Sequence, residues 1–192
     1  KGIVNGTTNY ILTQMNQKHW TYEEALKKAQ ELGFAEADPT NDVTGKDAAY
    51  KMIILSYFAF GTQLKIDDFK TEGIDTLNAY DVSQAESLGY VIKLVGSAKV
   101  INGGVFVDVA PTLVPEDHPL ATINNEFNAV MVTGKAVGDT LFYGPGAGGL
   151  PTANSVLSDI TSEVKNLIMG TSGHAFNTYQ NEYVPADPDN VR

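Results

Sequence analysis

Between Glu36 and Lys51 the chain gathers four carboxylates, Glu36, Asp38, Asp42 and Asp47, ahead of a lysine that opens a long apolar stretch. Asp47 and Lys51 stand four apart, so a helix places them on one face. The next charged residue after Lys51 is Lys65. A lysine at the mouth of an apolar helix needs a partner, because burying an unpaired ammonium is costly. Held by carboxylates in a cleft, such a lysine can give or take a proton. The same pattern also fits a plain acidic helix start with one ion pair. A metal is not expected here. Asp38, Asp42 and Asp47 do not follow a calcium-loop spacing, and Pro39 and Lys46 interrupt them. His19, His118 and His174 have no metal-ligand spacing.

Two further stretches have chemical potential. Gly144-Pro145-Gly146-Ala147-Gly148-Gly149 follows a strand pattern and precedes a helical one, where backbone amides can receive an anion. It is not the full dinucleotide fingerprint, and a tight turn explains it equally well. Asn5-Gly6-Thr7-Thr8 reads as a helix N-cap whose amides and hydroxyls can also cup a carboxylate.

The elements that must position these residues follow from the pattern. Tyr10, Ile11, Leu12 and Met15 have helical spacing after the Asn5–Asn9 cap cluster. Thr21 with Glu24 forms a capping box, Ala25, Leu26, Ala29 and Leu32 make an apolar stripe, and Gly33 is the stop. The stretch 34–45 reads as an acid-rich loop, with Pro39 keeping Asp38 out of helical geometry. Residues 46–60 read as a helix apolar nearly all round, hence buried, with Thr44 and Asp47 as a second capping box. Asp81 to Leu88 suggests a short helix. Residues 90–95 and 105–109 read as strands paired across Asn102-Gly103-Gly104, with more strand at 129–133 and 141–143. A helix over 152–167 carries Val156, Ile160, Val164 and Leu167 as its stripe. This order predicts an α+β fold, a mixed, largely antiparallel sheet covered by helices. One domain is expected over residues 1–182, with a Pro/Asp-rich, linker-like tail over 183–192.

Composition narrows the classes. The 192 residues carry 13 Lys+Arg against 23 Asp+Glu, a formal charge of −10, with a pI of about 4.6. That balance argues against a nucleic-acid or anionic-membrane partner. No Cys is present, so disulfides, thiolate zinc sites and a cysteine nucleophile are excluded from this chain. Its apolar runs fall far below the ~20 residues of a membrane span. A cytoplasmic location is expected. The chain opens Lys1-Gly2-Ile3-Val4, which reads like the interior of a longer sequence.

Read together, the pieces resemble homoserine dehydrogenase in its catalytic, substrate-binding domain. The likeness is carried by Asn5-Gly6-Thr7-Thr8-Asn9-Tyr10 and by Gly33-Phe34-Ala35-Glu36-Ala37-Asp38-Pro39-Thr40, continuing through Asp42, Gly45, Asp47 and Lys51. It resumes at Pro111-Thr112-Leu113-Val114-Pro115, at His118-Pro119-Leu120-Ala121 and at Phe142-Tyr143-Gly144-Pro145-Gly146-Ala147-Gly148. The resemblance implies NAD(P)-dependent interconversion of homoserine and aspartate semialdehyde, a step of amino-acid biosynthesis. It makes Lys51 the general acid/base, with Asp42 a further catalytic carboxylate. It gives Glu36 and Asp47 to the substrate, Glu36 toward its ammonium, with Gly6 and Thr7 lining the pocket. It lays Gly33, Gly144, Gly146 and Gly148 against the cofactor. It further implies a dinucleotide-binding unit upstream that holds most of the NAD(P), and a homodimer or homotetramer. A competing expectation is a folded dimerisation and substrate-cupping fragment without activity of its own. An acid-pair hydrolase using Glu36 lacks the aromatic platform a sugar would need.

Overall fold

The computed structural model describes residues 1–173. Strand β1 (Gly2–Ile3) leads into helix α1 (Gly6–Lys18), then α2 (Tyr22–Glu31), the single turn α3 (Thr40–Val43) and α4 (Lys46–Phe60). After a 3-10 turn at Ile66–Asp68 come α5 (Ala79–Ser87), β2 (Tyr90–Ile101) and β3 (Gly104–Pro115). A second 3-10 turn at Pro119–Thr122 precedes β4 (Phe127–Gly134), β5 (Gly138–Pro145) and α6 (Gly149–Met169). The sheet order is β3-β2-β1-β4-β5 and every ladder is antiparallel, with one isolated parallel bridge from Thr71 to Val109. This is the α+β architecture the sequence predicts. The 183–192 tail, the end of the expected domain and His174 lie outside the described residues.

β1 is only two residues long, yet it joins the two hairpins. Gly2 pairs with Gly96 on one side and Val130 on the other. The long β2–β3 hairpin turns on Asn102 (φ 50°) and Gly103 (φ 87°), the left-handed pair a two-residue hairpin favours. Alternation along β2 sends Ile92 and Leu94 into the main core with α1, α2 and α4. Val95 goes instead to a second cluster with Ile3, Leu120, Ile123 and Met131. Fully buried Ile11, Leu12, Met15 and Ile74 anchor the main core. Each such side chain contributes roughly 1.5–3 kcal/mol of burial free energy.

Three expectations are corrected. The stretch 34–45 is not all loop, because α3 forms immediately after Pro39. Thr44 does not cap α4. Gly45 is the N-cap in a left-handed conformation with no side-chain cap, and the Thr44 hydroxyl donates instead to Thr40 O. Nor is α4 buried all round. Ala48, Ala49, Met52 and Ser56 face inward, while Tyr50, Ile54, Tyr57 and Phe58 are exposed. The α6 stripe of Val156, Ile160, Val164 and Leu167 is exposed as well. The strands also run longer than their apolar cores suggested. No helix among the described residues is long and apolar enough to cross a membrane.

Candidate active site

A cleft of about 400 Å³ opens where the N-terminal turn of α1, the Gly33–Phe34 turn, the start of α4, the lead into β4 and the loop after β5 meet. Asn5 organises it. Its Oδ1 accepts from Thr8 N at 2.8 Å, capping α1. Its Nδ2 donates to Asp42 Oδ1 at 2.7 Å and to Asp47 Oδ2 at 2.8 Å. One carboxamide therefore ties the helix start to two carboxylates that arrive from α3 and α4.

Lys51 completes the group. Its Nζ donates to Asp47 Oδ2 at 2.7 Å and to Val4 O at 2.8 Å. The i,i+4 spacing makes the first contact local, and the second fastens α4 to the segment between β1 and α1. The third N–H of the ammonium has no protein acceptor among the described residues. The Lys51 side chain is 43% exposed and lines the cleft, so that proton is available to a bound molecule. A group this open is well screened by solvent, and the pair's value lies in orientation more than in stability.

Thr7 and Gly6 form the wall beside Lys51. The Thr7 hydroxyl donates to Phe34 O at 2.5 Å, holding the Gly33–Phe34 turn against α1. Phe34 in turn packs on Tyr10 with ring centroids 5.0 Å apart. Gly6 lets the opposite wall close in. A Cβ there would stand 2.5 Å from Glu126 O. The loop after β5 approaches through Gly146, where a Cβ would meet Asn128 Nδ2.

The structure brings Lys51, Asp42, Asp47, Gly6, Thr7, Gly33, Gly146 and Gly148 to this one cleft. It does not bring Glu36 or Gly144 into the lining. The Glu36 carboxylate is exposed, and its backbone carbonyl accepts from Gln30 Nε2 at 3.1 Å. Gly144 is paired opposite Asn128 within the β4–β5 ladder. Asp38 serves its own turn, accepting from the Thr40 amide and hydroxyl. Those bonds lower its pKa. Asn5, Glu126 and Asn128 also line the cleft. The sequence marks Asn5 as part of a cap that can also cup a carboxylate, but not as the partner of Asp42 and Asp47. Glu126 and Asn128 show no local pattern and reach the cleft through sheet topology. The Asn128 Oδ1 is buried there without a hydrogen-bond partner among the described residues.

One edge of the cleft is bordered by glycines. Gly33 (φ 78°) has no atom within 4 Å of a built Cβ, so its backbone borders open space. Gly146 and Gly148 border the same space without side chains.

The fold is thus an antiparallel α+β domain that holds a Lys–Asp–Asn cluster in a cleft bordered by glycines. The homoserine dehydrogenase family model matches residues 1–161. Homoserine dehydrogenase of Bacillus subtilis is 50% identical over 190 residues, covering 99% of this chain and 44% of that protein. The Lactococcus lactis enzyme is 48% identical with the same coverage. The crystal structure of a homoserine dehydrogenase from Thiobacillus denitrificans superposes with a TM-score of 0.87 at 43% identity, over 100% of this chain and 43% of that one. A hyperthermophilic archaeal homoserine dehydrogenase in complex with NADPH is similar at 30% identity and a TM-score of 0.64, over 83% of this chain and 45% of that one. The chain belongs to the homoserine dehydrogenase family, and it spans less than half the length of these relatives.

Proposed function

We propose that this chain supplies the catalytic, substrate-binding part of an enzyme that interconverts L-homoserine and L-aspartate 4-semialdehyde with NAD(P). That reaction serves threonine, methionine and isoleucine synthesis, in the cytoplasm. The observation that carries the proposal is the Asn5–Asp42–Asp47–Lys51 cluster, with one ammonium N–H left over in the cleft.

In this reading Lys51 gives that proton to the aldehyde oxygen during reduction and takes it back during oxidation. Asp47 and Val4 O fix the direction of the ammonium. Asp42, held by Asn5, is a second carboxylate at the reacting end. Gly6 and Thr7 receive the substrate from the start of α1. Glu36 is assigned to the substrate ammonium from the exposed rim. Gly33, Gly146 and Gly148 are assigned to the nicotinamide side, with Gly144 behind them in β5. The cofactor, when bound, supplies or accepts the hydride. Most of its binding is assigned to a further domain of the full-length protein. The chain's own task is to hold the substrate carbon at near-contact distance. A homodimer or homotetramer built through the sheet is part of the proposal. Exposed Val132, Leu141, Phe142 and Tyr143 on β4 and β5 support it.

The test is the full-length protein mixed with homoserine and, in separate runs, NAD and NADP, followed by nicotinamide absorbance. Homoserine-dependent reduction is expected, and none at any pH overturns the proposal. The share of each relative that this chain spans favours a second statement, that the chain alone does not turn over. Measurable turnover by residues 1–192 alone would overturn that.

A further inference from the structure

Lys93, in the middle of β2, is 3% exposed and meets no carboxylate. Its ammonium donates to Ile123 O at 2.5 Å, Asn9 Oδ1 at 3.2 Å and Asn124 Oδ1 at 3.3 Å. Burial pushes its pKa down to about 8, which still leaves it charged near neutral pH. A buried cation held only by neutral oxygens is a costly arrangement, so what it holds matters.

What it holds is one short segment. Asn9 of α1 reaches the same place. Its Nδ2 donates to Ile123 O at 3.1 Å, Asn125 O at 2.9 Å and Phe127 O at 3.1 Å. The Asn125 amide donates to Thr13 Oγ1 at 3.0 Å, and Gln14 Nε2 donates to Asn125 Oδ1 at 3.2 Å. Asn125 itself is left-handed at φ 57°. Residues 123–127 thus hang by their polar groups from α1 and β2. Glu126 and Asn128, on and just after this segment, line the cleft. Glu126 O touches Gly6, and Asn128 touches Gly146.

We infer that Lys93 is a positioning residue: its buried ammonium clamps residues 123–127 onto α1 and thereby sets the cleft wall formed by Glu126 and Asn128, and with it the affinity for the amino-acid substrate. The inference rests on the proposed dehydrogenase reading for its substrate, but the clamp itself does not.

The experiment is Lys93→Met in the full-length enzyme. The homoserine KM should rise about tenfold, the worth of one lost hydrogen bond in the wall, while the NADP KM stays within about twofold. Amide hydrogen exchange should quicken across residues 124–128 before it does in β2–β3. Unchanged homoserine KM with unchanged exchange overturns the inference, as does a rise confined to NADP. If wild type does not act on homoserine, the dehydrogenase reading fails, and faster exchange at 124–128 still upholds the clamp. If Lys93→Met does not fold, Asn124→Ala removes one acceptor and keeps the ammonium. It should move the same KM and the same amides by a smaller amount, and wild-type values for both overturn the inference.

Discussion

Lys93 makes stability depend on pH in an alkaline window. In the unfolded chain its ammonium titrates near 10.5, and in the fold burial brings that down to about 8. Below pH 8 both states hold the proton and Lys93 contributes no slope. Between about 8 and 10.5 the unfolded chain binds more protons than the folded one, so stability rises with pH. From about pH 7 to about pH 9.5 this amounts to about 2 kcal/mol, saturating near 3 kcal/mol above the unfolded value. Other groups titrate nearby. Tyr10 and Tyr22 are raised by burial. They are common to wild type and Lys93→Met, so the difference between the two isolates Lys93. The assay is urea unfolding across this pH range, followed by the fluorescence of Trp20, the single tryptophan. Wild type should gain about 2 kcal/mol on the variant from end to end. A difference that stays flat, or that falls with rising pH, refutes a buried Lys93 with a lowered pKa.

The remaining predictions concern the cleft and its supports. Lys51→Ala in the full-length enzyme should cut homoserine turnover by about 10²–10⁴-fold, the range for losing a general acid/base, with NADP affinity nearly intact. Wild-type turnover would remove Lys51 from the reaction. Gly6→Ala presses a Cβ to 2.5 Å from Glu126 O, a backbone atom that cannot swing away. Overpacking of about 1–3 kcal/mol outweighs the better helix propensity of alanine, giving a net loss of about 1–2 kcal/mol in urea unfolding. Gly149→Ala, with nothing within 4 Å, is the control and should be neutral or slightly stabilising. Thr21→Ala removes the hydroxyl that accepts from the Glu24 amide at 3.2 Å while keeping the backbone donor to Glu24, and should cost about 1 kcal/mol by the same assay.

What the sequence revealed was whatever chemistry is local. Thr21 with Glu24, and Asp47 with Lys51, lie within one helical turn of each other, and both pairs form as spaced. The N-cap at Asn5 was visible for the same reason. Its second role was not, because Asp42 and Asp47 are brought to it by folding rather than by spacing. β1 has two residues and therefore no period to detect, although it is the centre of the sheet. Lys93 is a lone charge in the otherwise apolar stretch 90–95, with no carboxylate spaced to meet it. Its partners are a backbone carbonyl and two carboxamides, which carry no charge signal along the chain. The exposed face of α4 shows the converse failure. An all-apolar helix reports that burial is favourable, not that the described chain supplies the cover.

The acidic balance noted at the outset acquires a location in the cleft. Asp42, Asp47 and Glu126 line it against the single cation Lys51. Lys51 neutralises Asp47 directly, and the Asn5 amide divides its donors between Asp47 and Asp42. Negative charge therefore remains on Asp42, on the wall nearest the start of α1. A zwitterionic amino acid presents an ammonium that such walls attract and a carboxylate that they repel, unless backbone donors at Gly6 and Thr7 take it. The glycine edge carries no charged side chain, only backbone groups at the start of α6. Within the proposed function, the substrate ammonium is assigned to the carboxylate walls and the nicotinamide to the glycine edge. The cations for the dinucleotide phosphates must then come from outside this cleft. Salt should accordingly weaken homoserine binding more than it weakens contacts along the glycine edge, because only the former depends on unneutralised carboxylates.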